Sequence, residues 1–240
     1  MNTSNNTIFI SGGSAGIGFE IAKLFSAKRN KIIINGRNKE RLENALTRLK
    51  NATAIQGDLS VESERIRIAA ALKQQHPDVN VIVNNAGAAY VYSLADAEKT
   101  YEYAVQEINT NYVSIIHFTE LLLPHLRIKE NAAIANVTSI AGLIPSTGLP
   151  TYSASKAALH FYTQSLRSSL AETNINVFEV MPPLVNTDFS AEIGGANGIP
   201  PKEVAEELFI AFESNRFDVP VGQTKAVYAV LQEATSKPGQ

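Results

Sequence analysis

The sequence predicts an α/β fold: a doubly wound, mostly parallel sheet of about seven strands with helices on both faces. Three observations carry that expectation. Short apolar runs alternate with amphipathic helical patterns along the chain. No linker or internal repeat interrupts them, so residues 1–240 read as one domain. The first apolar run ends in a glycine-rich turn that opens a helix, a junction suited to holding phosphate.

Composition narrows the function. Apolar residues make up 45% of the chain and charged residues 18%, with a formal net charge of −2. No basic block stands out, so neither nucleic acid nor an anionic membrane is an expected partner. Cysteine is absent, which excludes disulfides, thiolate nucleophiles and thiolate metal sites. No apolar run reaches the roughly 18 residues of a spanning helix. The first seven residues, Met1–Thr7, are polar and lack a signal peptide's apolar region. A soluble cytoplasmic protein is expected. His76, His117, His125 and His160 show no metal-ligand spacing, so each reads as a surface or satisfied core residue and no metal is expected.

Thr7–Ile10 reads as the first strand. It enters Ser11-Gly12-Gly13-Ser14-Ala15-Gly16-Ile17-Gly18, and Phe19, Ile21, Ala22, Leu24 and Phe25 then mark a helix face. Gly12 permits a tight turn, Gly16 lets backbone approach a pyrophosphate, and Gly18 allows close helix packing. A purely structural glycine turn is the competing reading. Lys31–Asn35 is the second strand and ends on Gly36-Arg37. In a Rossmann unit this tip meets the adenine ribose. No acidic residue waits there for a ribose hydroxyl, whereas Arg37 offers a forked cation to a phosphate, which favours NADP over NAD. Ala52–Gln56 is the third strand, followed by Asp58-Leu59 and a helix from Val61 to about Gln75. Asp58 suits either an adenine amino group or a helix cap. Val79–Val83 is the fourth strand and ends in Asn84-Asn85-Ala86-Gly87, small and amide residues suited to a flat ligand.

Residues 94–128 read as two helices that break or bend near Asn109-Thr110-Asn111. The second is apolar over a wide arc, so part of it is expected to face another subunit. Asn111 sits where asparagine has poor helix propensity, which suggests a hydrogen-bonding task. Ala132–Val137 is the fifth strand and leads to Ser139. A helix opening at Tyr152 runs to about Glu172. Ile175–Val180 is the sixth strand, leading to Pro182-Pro183-Leu184-Val185-Asn186-Thr187. A Gly-rich loop at 188–200 reads as a mobile lid. A helix from Lys202 to about Glu213, a strand at Phe217–Val221 and a polar tail complete the chain.

Ser139, Tyr152 and Lys156 form the chemical centre. Tyr152 and Lys156 are four residues apart and so share one helix face. The Ser139 hydroxyl, the Tyr152 phenol and the Lys156 ammonium could do chemistry together. A phenol titrates near 10, and the Lys156 charge is expected to favour the phenolate. Ser139 offers its hydroxyl from the end of the preceding strand.

These residues resemble the short-chain dehydrogenase/reductase family over nearly the whole chain. The resemblance rests on Ser11-Gly12-x-x-x-Gly16-x-Gly18, Asp58-Leu59, Asn84-Asn85-Ala86-Gly87, Asn111, Ser139, Tyr152-x-x-x-Lys156, and Pro182 with Val185 and Thr187. The Pro182–Thr187 segment and the short C-terminal end look like the D-alanine-transfer-operon oxidoreductases of bacterial cell-wall metabolism. The resemblance implies hydride transfer between a nicotinamide and a small carbonyl or alcohol substrate, with Tyr152 supplying or removing the proton and Ser139 donating to the substrate oxygen; Arg37 makes NADP(H) the first choice and NAD(H) the second. It implies cofactor contacts from Gly12, Ser14, Gly16, Ile17 and Gly18 in the turn, and from Arg37, Asp58 and Leu59 at the adenosine. Asn85, Ala86 and Gly87 are implied at the middle, and Tyr152, Lys156, Pro182, Val185 and Thr187 at the nicotinamide end. Lys156 is further expected to bond the nicotinamide ribose, and Asn111 to join a water-mediated proton relay to Lys156.

The chain departs from the family pattern twice. Ser11 replaces the usual threonine and keeps its hydroxyl. Pro183 stands where glycine is common, so a bond from a backbone N–H there is impossible. Two rival functions remain: a non-catalytic dinucleotide-binding sensor or scaffold, and a nucleotide-sugar epimerase-type enzyme. The first has no need of Tyr152, Lys156 and Ser139. The second tends to carry a separate substrate lobe, and only about fifty residues follow Thr187. A homodimer or homotetramer is expected.

Overall fold

In a computed structural model, which describes residues 1–96 and 98–236, seven strands form one parallel sheet. They are β1 (Thr7–Ser11), β2 (Lys31–Gly36), β3 (Ala52–Gln56), β4 (Val81–Asn84), β5 (Ala132–Val137), β6 (Ile175–Met181) and β7 (Asp218–Pro220). Their spatial order is β3-β2-β1-β4-β5-β6-β7. The order reverses between β1 and β4, the switch point at which such sheets open a crevice. The helices are α1 (Gly16–Ala27), α2 (Lys39–Leu46), α3 (Glu62–Gln75), α4 (Thr100–Ile108), α5 (Ser114–Arg127), α6 (Pro150–Ser169), α7 (Pro201–Ser214) and α8 (Thr224–Ser236).

The strands are apolar on both sides because helices cover both faces. Ile8, Ile10, Ile32, Ile34, Val81 and Val83 point into one core with Phe25 of α1 and Phe212 of α7. Phe9, Ile33 and Ile82 point the other way, against Ile68 of α3 and Phe118 of α5. This two-residue alternation is what a strand imposes on side-chain direction. The Phe9 and Phe118 rings lie 5.2 Å apart at their centroids.

Three local expectations change. The helical pattern expected from Leu94 starts at Thr100. The bend near Asn111 is a π-helical turn, Asn109–Val113, that joins α4 to α5. Residues Thr224–Ser236, read from the sequence as part of a polar tail, form α8. Ile115, Phe118, Leu122 and Leu126 of α5 are buried within this chain, so its wide apolar arc is largely used internally. Exposed apolar side chains nearby include Tyr101, Val105, Ile108, Val113, Ile128 and Phe161, the last 66% exposed.

Candidate active site

A cavity of about 980 Å³ opens along the C-terminal ends of the central strands. Ser14, Ile17, Arg37, Asp58, Leu59, Ala86, Gly87, Ser139, Tyr152, Lys156, Pro182, Val185 and Thr187 all line it. Most of the site residues expected from the sequence therefore converge on one space.

The glycine turn has a definite backbone reason. Gly12 has φ +64°, a left-handed conformation that penalises side chains. A Cβ on Gly18 would lie 2.4 Å from the Gly12 carbonyl oxygen, so close packing of α1 on β1 requires its absence. The turn is locked from β4. Ser11 Oγ accepts from the backbone N–H groups of Asn85 and Ala86 at 2.9 and 3.0 Å. Asn85 Nδ2 donates to the Ser11 and Gly12 carbonyls. The hydroxyl is thus what position 11 supplies, and Asn85 works by pinning backbone. Ala15 caps α1 without any side-chain bond, leaving first-turn N–H groups to an external anion.

Arg37 and Asp58 face each other at 3.6 Å, and the Arg37 side chain is 79% exposed. Arg41, in the first turn of α2, stands 4.0 Å from Asp188. It also lines the cavity and was missed from the sequence, because Arg37 precedes α2 and no helical spacing links the two. Both guanidiniums are loosely held, so the rim fits a phosphate. Asp58 does not cap α3, whose N-cap is Val61. Its Oδ1 instead accepts from Ser60 N and Ser60 Oγ, because the chain turns before the helix begins.

At the other end, β5 delivers Ser139 and α6 delivers Tyr152 and Lys156. Pro150 starts α6 two residues before Tyr152, where a missing N–H costs nothing. Lys156 is 3% exposed, and its Nζ donates to the Val137 carbonyl at 2.8 Å and sits 5.7 Å from the Tyr152 ring centroid. Burial pushes the lysine down to about 8. Burial likewise pushes the Tyr152 phenol up to about 12; the Ser139 hydroxyl opposes this and the Glu107 charge adds to it. The expectation that Lys156 favours the phenolate is therefore corrected for the protein alone: desolvation dominates, and Tyr152 is held as a phenol. Asn111 is fully buried, donating to Ala88 O and Ser155 Oγ and accepting from Ala88 N. Protein groups take these bonds, so Asn111 does not reach Lys156 directly.

Pro182 accepts from Ile140 N, and Pro183 carries no N–H toward the cavity. Thr187 and Ser190 cap a short helical turn, Asp188–Ile193, inside the expected lid. Phe189 on this turn is 53% exposed, with its ring 6.2 Å from that of Tyr152.

Two buried carboxylates were missed. Glu179 lies on β6, where its Oε1 accepts from Thr138 Oγ1 and pairs with His160, both at 2.8 Å. It thereby ties the residue before Ser139 to α6. A glutamate inside a buried apolar strand, with His160 four residues after Lys156, was the available signal. Glu107 on α4 accepts from Tyr90 N at 2.8 Å and from Thr151 Oγ1. On an amphipathic helix it gave no signal.

The sheet order and the cavity at its switch point define a Rossmann-type dinucleotide-binding fold. The family model described as short chain dehydrogenase matches residues 6–197. The chain is 34% identical to the oxidoreductase DltE of Bacillus subtilis (strain 168) over 212 residues, covering 88% of this chain and 84% of DltE. A short-chain dehydrogenase/reductase of Burkholderia phymatum in complex with NAD superposes with a TM-score of 0.88 at 18% identity, covering 100% of this chain and 98% of that one. A short-chain dehydrogenase of Burkholderia cenocepacia J2315 in complex with NADP gives 0.85 at 23% identity, covering 99% and 95%. The chain belongs to the short-chain dehydrogenase/reductase family of oxidoreductases, within its DltE-like subgroup.

Proposed function

We propose that the protein interconverts a carbonyl and an alcohol with NADP(H), using Tyr152 as general acid and base. The observation that carries this reading is the convergence of Ser139, Tyr152 and Lys156 on a cavity whose other end is a glycine turn open to anions. Relatives in the family hold NAD or NADP, which supports a nicotinamide dinucleotide. Arg37, with Arg41, favours the phosphorylated form, and NAD(H) is the second choice.

The pyrophosphate would rest on the turn of Gly12, Ser14, Gly16, Ile17 and Gly18 at the start of α1. Asp58 and Leu59 would border the adenine, and Asn85, Ala86 and Gly87 the central ribose region. Pro182, Val185 and Thr187 would border the nicotinamide, with no backbone donor from Pro183. When bound, the nicotinamide exchanges hydride with the substrate carbon. Ser139 donates to the substrate oxygen, and Tyr152 hands that oxygen its proton in reduction or withdraws it in oxidation. Lys156, a buried cation donor beside the Tyr152 ring, would bind the ribose. Asn111 holds the backbone at Ala88 and leads through ordered water toward Lys156. Residues 188–200 close over the substrate, and the exposed faces of Val105, Val113 and Phe161 meet a second copy.

A sensor or scaffold has no use for a buried serine, tyrosine and lysine at the cavity floor. An epimerase-type lobe is absent among the described residues, where the lid, α7, β7 and α8 account for the chain after Thr187. Fluorescence titration with NADPH and NADH, then a screen of aldehydes and ketones for NADPH consumption, tests the proposal. Tighter NADPH binding and carbonyl-dependent oxidation are expected; binding of neither nucleotide contradicts it.

A further inference from the structure

The cavity's charges are unevenly placed. Arg37 faces Asp58, and Arg41 faces Asp188, both at the adenosine rim. Lys156 is committed to the Val137 carbonyl. Around Ser139 and Tyr152 the lining includes Ile140, Ala141, Leu149, Leu184, Phe189 and Ile193, and its polar members, Tyr90, Gln106 and Ser146 among them, are uncharged. No arginine or free lysine among the described residues lines this end. A carboxylate or phosphate brought here would lose water and gain no cation, a cost of several kcal/mol for a charge left unpaired.

Glu107 sharpens the exclusion. It is fully buried and stands behind the wall of the cavity, one hydrogen bond from Tyr90, which lines it. Its two oxygens receive donors from Tyr90 N and Thr151 Oγ1, so it is held as an acceptor on both sides. Thr151 in turn shares a hydrogen bond with the Tyr92 hydroxyl at 2.5 Å. Burial pushes the Glu107 carboxyl up while the Thr151 and Tyr90 hydrogen bonds oppose that rise, and its charge adds to the rise of the Tyr152 phenol. Tyr90 lines the cavity and Thr151 immediately precedes Tyr152, so Glu107 also joins a cavity wall to the catalytic helix. Phe189 adds shape: a half-exposed ring beside Tyr152 offers apolar surface to a flat group.

We propose that the site takes a neutral carbonyl compound bearing a flat apolar substituent, and that Glu107 is a specificity-determining residue that rejects anionic analogues. This rests on the oxidoreductase reading above.

The test compares para-tolualdehyde with para-formylbenzoate as substrates with NADPH. Wild-type kcat/KM is expected to favour the neutral aldehyde by roughly 100-fold. Glu107→Gln is expected to narrow that ratio by about tenfold, since removal of one nearby charge acts only on the anion. Phe189→Ala lies on an exposed turn that does not threaten folding. It is expected to lower the preference for para-tolualdehyde over propanal by about fivefold. Equal use of both aromatic aldehydes by the wild type, or an unchanged ratio in Glu107→Gln, overturns the proposal. In parallel, calorimetry measures binding of para-methylbenzyl alcohol and para-(hydroxymethyl)benzoate to the NADP-saturated protein. Preference for the neutral alcohol without turnover of either aldehyde upholds the pocket chemistry and removes only the oxidoreductase reading. Equal binding, or binding of neither, overturns the proposal.

Discussion

Tyr152 and Lys156 are each easy to find and hard to assess. Their four-residue spacing, with Ser139 before them, made the chemistry legible. The sign of the tyrosine's shift was not legible, because desolvation depends on what the whole fold places around the ring. Arg37 is simpler, being an exposed cation at a strand tip. Arg37→Asp is expected to weaken NADPH binding by about tenfold or more and to spare NADH. Fluorescence titration checks this, and equal NADPH affinity in both proteins would remove Arg37 from phosphate recognition. His160 carries a pH prediction. Its hydrogen bond to Glu179 raises its pKa above the usual value, with burial opposing. The stability it contributes is therefore full below about pH 6.5 and is lost as pH rises through the raised value. His160→Gln should flatten the fall in urea midpoint over that rise; an equally steep fall would assign it elsewhere.

At the scale of elements, the strands were read almost to the residue because each is a short apolar run bounded by polar or glycine residues. Helix ends were less legible: Leu94 looked periodic with the residues after it, yet the helix starts at Thr100. Asn111 shows how a local anomaly becomes structure. An asparagine poorly suited to a helix interior sits in a π-helical turn, where its amide satisfies both backbone groups of Ala88. Asn111→Ala leaves those groups without these partners and is expected to cost about 1–3 kcal/mol in urea unfolding. A loss under a few tenths would show that water replaces the amide. Glu107 was invisible at this scale because a carboxylate on an amphipathic helix reads as solvated.

For the whole molecule, alternating strand and helix patterns made the sheet legible, and the glycine turn located its working edge. What sequence pattern withheld were contacts across elements, such as Glu179 with His160 and Thr138, since no periodicity links residues on different strands and helices. Assembly belongs to this scale as well. The apolar arc of α5 is mostly buried within the chain, and exposed Phe161, Val105 and Val113 mark the face left over. Sedimentation at micromolar concentration is expected to show a dimer or tetramer, and Phe161→Glu to shift it toward monomer. A wild-type monomer would contradict the proposed second copy.

The central claim is that Tyr152 moves the proton while the rest of the site holds the nucleotide. Its most direct test is deuterium transfer from deuterated NADPH into an aldehyde, compared between wild type and Tyr152→Phe with NADPH affinity measured on the same samples. Unchanged affinity with transfer slowed by about a hundred- to ten-thousand-fold is the expected result. Transfer at the wild-type rate in a folded Tyr152→Phe protein would contradict it.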